Sequence, residues 1–126
     1  MNNLLSIDYG ERYMGFAVRT AKTQIPIPIE VVDIKKDNIV KKIAKYVDSY
    51  DINKIIIGYP IGMNLSKNRM TKNVDNFIKD ELMKYNLPIS KIDERFTSEL
   101  IKNTKNDRVD DLSALEILET YIKKND

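Results

Sequence analysis

Apolar and polar positions along this chain follow two periods, and the places where one gives way to the other set out its elements. Residues 3–8 and 13–19 read as two strands of a hairpin, with Leu4, Leu5 and Ile7 suited to a sheet core. A third strand is predicted over 27–33, where Ile27, Ile29, Val31 and Val32 recur, and Pro26 and Pro28 place its start at an edge. The spacing then becomes helical: Ile39, Val40, Ile43, Val47 and Tyr50 follow Asp37, which can cap a helix. Lys54-Ile55-Ile56-Ile57-Gly58 is a short continuous apolar run, suited to a strand buried on both faces, and Tyr59-Pro60 stops it. Residues 61–69 are polar and read as a surface loop. A second helix is expected near 70–86, with Val74, Phe77, Ile78, Leu82 and Tyr85 on one face. Ile89 to Ile92 is a short strand with Asp93-Glu94-Arg95 at its end. A short helix near 97–103 leads to the basic loop Lys105-Asn106-Asp107-Arg108, and a last helix over about 110–123 carries Leu112, Leu115, Leu118 and Ile122 as a stripe.

The resulting order is βββαβαβα. Three antiparallel strands come first, and two more are entered through helical crossovers, which make parallel neighbours. This predicts an α/β protein of ribonuclease H-like layout, a five-stranded mixed sheet with helices on both faces. In such sheets sites form beyond the carboxyl ends of the parallel strands. Asp8, Tyr59-Pro60 and Glu94 all fall there.

At 126 residues the chain is expected to be one domain, 1–126, with one core. It contains no cysteine and no histidine, which excludes disulfides, thiolate zinc sites, a Cys nucleophile and the Ser-His-Asp triad. Chemistry near neutral pH must then rest on carboxylates, Lys, Tyr, hydroxyls or a hard metal ion. No stretch is apolar enough for a membrane span and no signal-peptide pattern opens the chain, so a cytoplasmic protein is expected. The net charge of +2 permits nucleic-acid binding without demanding it.

Three carboxylates stand out by position: Asp8 ending the first strand, Glu94 ending the last and Asp110 opening the final helix. A carboxylate among Leu4, Leu5 and Ile7 is costly to bury unless it is paired or binds a cation. Gly10 and Gly15 after it let the chain turn and run back. Three clustered carboxylates would raise one another's pKa, and a pair of Mg²⁺ or Mn²⁺ ions resolves the repulsion. Two such ions can activate water against a phosphodiester. The blander readings are an N-cap for Asp110, with Asp107 competing, and a surface pair of Glu94 with Lys91 or Arg95. Alternation puts Asp93 on the opposite face from Glu94. Arginine is scarce, yet Arg12, Arg69, Arg95 and Arg108 each lie beside a proposed site segment, and Arg binds phosphate bidentately. Lys67, Lys72 and Lys105 are further phosphate candidates. Tyr9, Tyr13 and Tyr59 are either base-stacking or packing residues.

These residues resemble the YqgF/RuvX family. Its motifs look like Ile7-Asp8-Tyr9-Gly10 with Met14-Gly15-Phe16-Ala17-Val18, then Ile57-Gly58-Tyr59-Pro60-Ile61, then Asp93-Glu94-Arg95-Phe96-Thr97-Ser98, then Val109-Asp110-Asp111-Leu112-Ser113-Ala114. They come in the family's order and cover nearly the whole chain. The resemblance implies a ribonuclease H-like nuclease of the cytoplasm that matures the 5′ end of 16S ribosomal RNA precursor. The family's earlier assignment was Holliday-junction resolution. The family's acidic positions fall on Asp8, Glu94 and Asp110. The loop after Pro60 departs from the pattern: it reads Asn64-Leu65-Ser66 where Asp-Gly is usual, with Met70 at the usual Arg place and Arg69 displaced by one. The loop before Asp110 is short and lacks the usual glycines.

The leading expectation is a two-metal endonuclease acting on structured RNA, with Arg12, Lys67, Arg69, Arg95 and Arg108 contacting nucleic acid, as a monomer or weak homodimer. A DNA junction resolvase would share the chemistry but need two sites, hence a symmetric dimer. From other classes come a non-catalytic RNA-binding ribosome-assembly factor and an actin-like ATPase lobe, for which 126 residues supply one lobe of the two required.

Overall fold

The computed structural model describes residues 2–60, 69–93 and 110–125, with the side chains of residues 110 and 111 outside that description. Five strands form one sheet: β1 (Leu4–Asp8), β2 (Tyr13–Arg19), β3 (Ile27–Asp33), β4 (Lys54–Tyr59) and β5 (Ile89–Asp93). Their order across the sheet is β3-β2-β1-β4-β5. β1 runs antiparallel to β2, and β2 to β3, whereas β4 is parallel to β1 and β5 to β4. The layout is the expected ribonuclease H-like α/β fold. β3 is an edge strand, and its pairing with β2 shifts register between Phe16 and Ala17 where Pro28 enters. A proline without an N–H is tolerated there because the ladder is already interrupted.

Helix α1 (Ile39–Ser49) begins one residue later than Asp37 would set it. Asn38 is the cap: its side chain accepts the Lys41 N–H at 3.2 Å. The Asp37 N–H is instead bound to the Asp33 carbonyl at 3.0 Å, inside the turn that follows β3. Helix α2 (Arg69–Phe77) passes into a π turn (Ile78–Leu82) and a 3₁₀ turn (Met83–Tyr85). Val74, Ile78 and Leu82 recur every four residues and are all buried. The wider π turn keeps this strict spacing on the core side, where a regular α-helix would drift away. Asn86, left-handed at φ 55°, ends the run.

The sheet has two apolar faces. Leu5, Ile7, Phe16, Ile55 and Ile57 pack with Ile43 and Tyr46 of α1 and with Val74, Ile78 and Leu82. Leu4, Ala17, Ile56 and Ile92 pack on the other face under helix α3 (Asp110–Asn125). The unbroken Ile55-Ile56-Ile57 run is thus explained by helices on both sides. The buried stripe of α3 is Ala114, Ile117, Leu118 and Tyr121; Leu112 is exposed and Leu115 and Ile122 are peripheral. Apolar residues border this stripe on both sides, so periodicity alone chose the wrong edge of it. Among the described residues no helix is long and apolar enough to cross a membrane. The short helix expected near 97–103 and the basic loop before Asp110 lie outside the described residues.

The turn between β1 and β2 spans residues 9–12, so Gly15 is not a turn residue but an interior position of β2. Gly10 does belong to the turn. A Cβ there would overlap the backbone carbonyl of Tyr13, so close backbone approach, not a left-handed φ, requires glycine. Gly10→Ala is expected to destabilise the fold by about 1–3 kcal/mol in urea unfolding, since the clash is with backbone. A change under about 0.5 kcal/mol, the ordinary surface scatter, would show that the turn relaxes freely.

Candidate active site

β1, β4 and β5 all end at one edge of the sheet, where β2 begins and β3 finishes. Asp8 closes β1 there and is partly buried. Strand alternation decides its face. Leu5 and Ile7 belong to the core under α1 and α2; Leu4 and Ser6 face α3, and Asp8 continues their side. The Ser6 hydroxyl donates to the Ala114 carbonyl at 2.7 Å, and the Lys54 ammonium lies 4.9 Å from the centre of the Tyr121 ring. Lys54 pairs with Leu4, so α3 runs antiparallel to β1. From Ala114 back to Asp110 the helix rises about 6 Å. From Ser6 forward to Asp8 the strand advances by about the same. The first turn of α3 therefore lies beside Asp8, and the positive end of the helix dipole favours an anion there.

The other expected residues divide by what surrounds them. Asp110 opens α3 as expected, with its side chain outside the description, while Glu94, Lys67, Arg95, Arg108, Lys105 and Asp107 lie outside the described residues altogether. β5 is described as far as Asp93, which pairs with Tyr59; Ile92 faces α3, which puts Asp93 on the opposite side of the sheet from Ile92. Arg12 and Arg69 both come to the Asp8 end. Arg12 pairs with Asp33 at 3.3 Å and stacks 5.3 Å from the centre of the Tyr13 ring. Arg69 forms a two-pronged pair with Glu11 at 2.7 and 2.8 Å, joining the start of α2 to the hairpin turn. Arg12, Arg69 and Glu11 are largely exposed, so these pairs contribute little to stability and leave the guanidinium groups accessible. Partial desolvation of Asp33 works against its charge. The Lys35 N–H, Arg12 and Lys36 outweigh it, and the carboxyl sits below its ordinary range.

Tyr9 and Tyr59 are packing residues. Tyr9 lies against Phe77 with ring centres 5.2 Å apart, and burial, then the Glu11 charge, pushes its phenol up. Tyr59 is buried; its hydroxyl donates to Asp75 at 2.9 Å, and burial followed by that bond raises its pKa. Lys91 pairs with the other Asp75 oxygen at 3.2 Å and covers the Tyr59 ring. These contacts anchor the ends of β4 and β5 to α2.

Two features escaped sequence reasoning. Ser6 ties α3 to β1, which nothing local signals. Gly15 stands directly across from Asp8 inside a strand. An isolated glycine in a strand pattern is itself a sign of close approach, and that sign was available. Glycine beside Asp8 leaves that flank without a side chain, and the donor at hand is a hard carboxylate oxygen in a chain lacking His and Cys. This chemistry suits Mg²⁺ or Mn²⁺ and not a soft metal.

The family model described as RuvX, Holliday junction resolvase, matches residues 2–124. A protein of Karelsulcia muelleri named "Putative pre-16S rRNA nuclease" is 33% identical over 139 residues, covering 98% of this chain and 99% of its own. A protein of the same name from Bacteroides thetaiotaomicron is 32% identical, covering 98% of this chain and 97% of its own. Among solved structures, Thermus thermophilus RuvC in complex with a Holliday junction substrate superposes with a TM-score of 0.63 at 9% identity, covering 98% of this chain and 96% of that one. The Fowlpox virus resolvase in complex with Holliday junction DNA gives a TM-score of 0.58 at 16% identity, covering 98% of this chain and 99% of that one. At such identities the likeness is one of fold.

Proposed function

The chain belongs to the RuvX family, and from that premise we propose that it is a metal-dependent endonuclease that hydrolyses phosphodiester bonds in structured RNA, at the 5′ end of the 16S ribosomal RNA precursor. The observation that carries this reading is the placement of Asp8: a partly buried carboxylate at a sheet end, facing the first turn of α3, with glycine across from it. Asp8, Glu94 and Asp110 are the residues that would hold Mg²⁺ or Mn²⁺, one from the end of β1, one just after β5 and one opening α3. When bound, two such ions supply a Lewis acid for the phosphate and a water of lowered pKa.

The chain's own residues do the rest. Asp8 is fixed by pairing on β1, and the Ser6–Ala114 bond sets α3 against that strand. Arg12 and Arg69, in exposed pairs at the same sheet edge, are suited to exchange a carboxylate partner for a backbone phosphate. Lys67, Arg95 and Arg108 extend this proposed contact set. We read residues 1–126 as a single cytoplasmic nuclease domain acting as a monomer or weak homodimer.

A second reading, resolution of Holliday junctions, is favoured by the family's description and by the DNA bound to RuvC and the Fowlpox virus resolvase. It requires two sites facing two strands. The deciding experiment sets a labelled 16S precursor 5′ fragment beside a four-way DNA junction, each with Mg²⁺ or Mn²⁺. Cleavage confined to the RNA is expected. Cleavage confined to the junction would replace the first reading with the second. Binding without cleavage of either, repeated on pre-ribosomal particles, would point to an assembly factor.

A further inference from the structure

Asp8 has glycine on both of its strand neighbours. Gly15 of β2 pairs with it directly. One step beyond the Ile7–Ile57 pair, the parallel register sets Gly58 of β4 on its other side, and Gly58 pairs in turn with Ile92 of β5. Ala17, Ser6, Ile56 and Ile92 establish that this row faces α3. Across β2, β1 and β4, the row therefore carries one side chain, that of Asp8. Both glycines are buried in strand interiors and neither makes a turn. Glycine weakens a strand at such positions, so two of them side by side call for a reason.

We infer that Gly15 and Gly58 are positioning residues that reserve the space beside the Asp8 carboxylate for the water shell of a divalent cation; this rests on the reading of Asp8 as a cation-holding group. Strand neighbours put a Cβ about 5 Å from that of Asp8. A small divalent ion binds oxygen at about 2.1 Å and keeps several waters, making it about 7 Å across. A methyl group on either flank crowds that shell, and a branched side chain excludes it. The face distinguishes this role from simple strand breaking. On the opposite face the equivalent row is Phe16, Ile7, Ile57 and Lys91, with no glycine.

The test measures Mn²⁺ binding by loss of the free-ion electron paramagnetic resonance signal, with thermal unfolding in parallel, on wild type, Asp8→Asn, and Ala and Val variants at Gly15 and Gly58. The inference expects Val at either glycine to weaken Mn²⁺ binding about tenfold or more, with Ala intermediate, while Tm stays the same or rises because strand propensity improves. Wild-type affinity in the glycine variants, with Asp8→Asn reduced, would overturn the glycine role and leave the Asp8 reading standing. Undiminished binding by Asp8→Asn would overturn both. Ala variants that lower Tm by several degrees would assign the glycines to α3 packing and overturn the inference as well.

Discussion

Asp8→Asn is expected to slow phosphodiester cleavage at least about a hundredfold while the protein stays folded. Asparagine keeps the shape of the side chain and removes its charge. A neutral amide is a poor ligand for a hard divalent cation, and Gly15 across the strand offers nothing in its place. The stability change should be small because asparagine fits the same space and gives up only the attraction of the carboxylate to the first turn of α3, roughly 0.3–1 kcal/mol. Cleavage rates at saturating Mg²⁺ and a thermal melt on the same preparation separate chemistry from folding. Full activity in Asp8→Asn would place the reacting centre elsewhere. A collapse of Tm would make the loss one of structure.

Leu118→Ala should have the largest effect on stability, about 2–5 kcal/mol. Leu118 is fully buried among Leu4, Ala17, Ile56, Ile117 and Tyr121. The opposite face has a larger core shared by α1 and α2, whereas α3 is the described helix that covers this one. A cavity under α3 therefore has few neighbours able to collapse into it. Against a typical total of 5–15 kcal/mol, the loss is large enough to loosen α3 before the sheet melts. On the proposed reading, in which Asp110 at the start of α3 holds the cation, activity should fall further than the folded fraction. Hydrogen exchange would show α3 amides opening while β1 and β4 stay protected. Leu112→Ala, at an exposed position of the same helix, should stay within about 0.5 kcal/mol of wild type. A loss below about 1 kcal/mol at Leu118, well under the usual core truncation, would mean that α3 is not anchored by this core.

The sequence by itself determined the order of the elements and the placing of Asp8 at a strand end. These follow from local energetics: apolar residues every second position favour a strand, a three-to-four spacing favours a helix, and an acidic residue after an apolar run ends it. The tertiary structure decided everything that depends on register. The identity of the neighbouring strand puts Asp8 on the side of α3 and turns Gly15 and Gly58 into its flanks. The Asp33 carbonyl captures the Asp37 N–H and passes the cap of α1 to Asn38. Contact with the sheet shifts the buried stripe of α3 to Ala114, Ile117, Leu118 and Tyr121. Arg12 and Arg69 meet Asp33 and Glu11 only once the hairpin, β3 and α2 are assembled. Periodicity is a property of a few adjacent residues and survives in the sequence. Pairing across 50 positions is settled by which surfaces bury one another, and appears only in the folded chain.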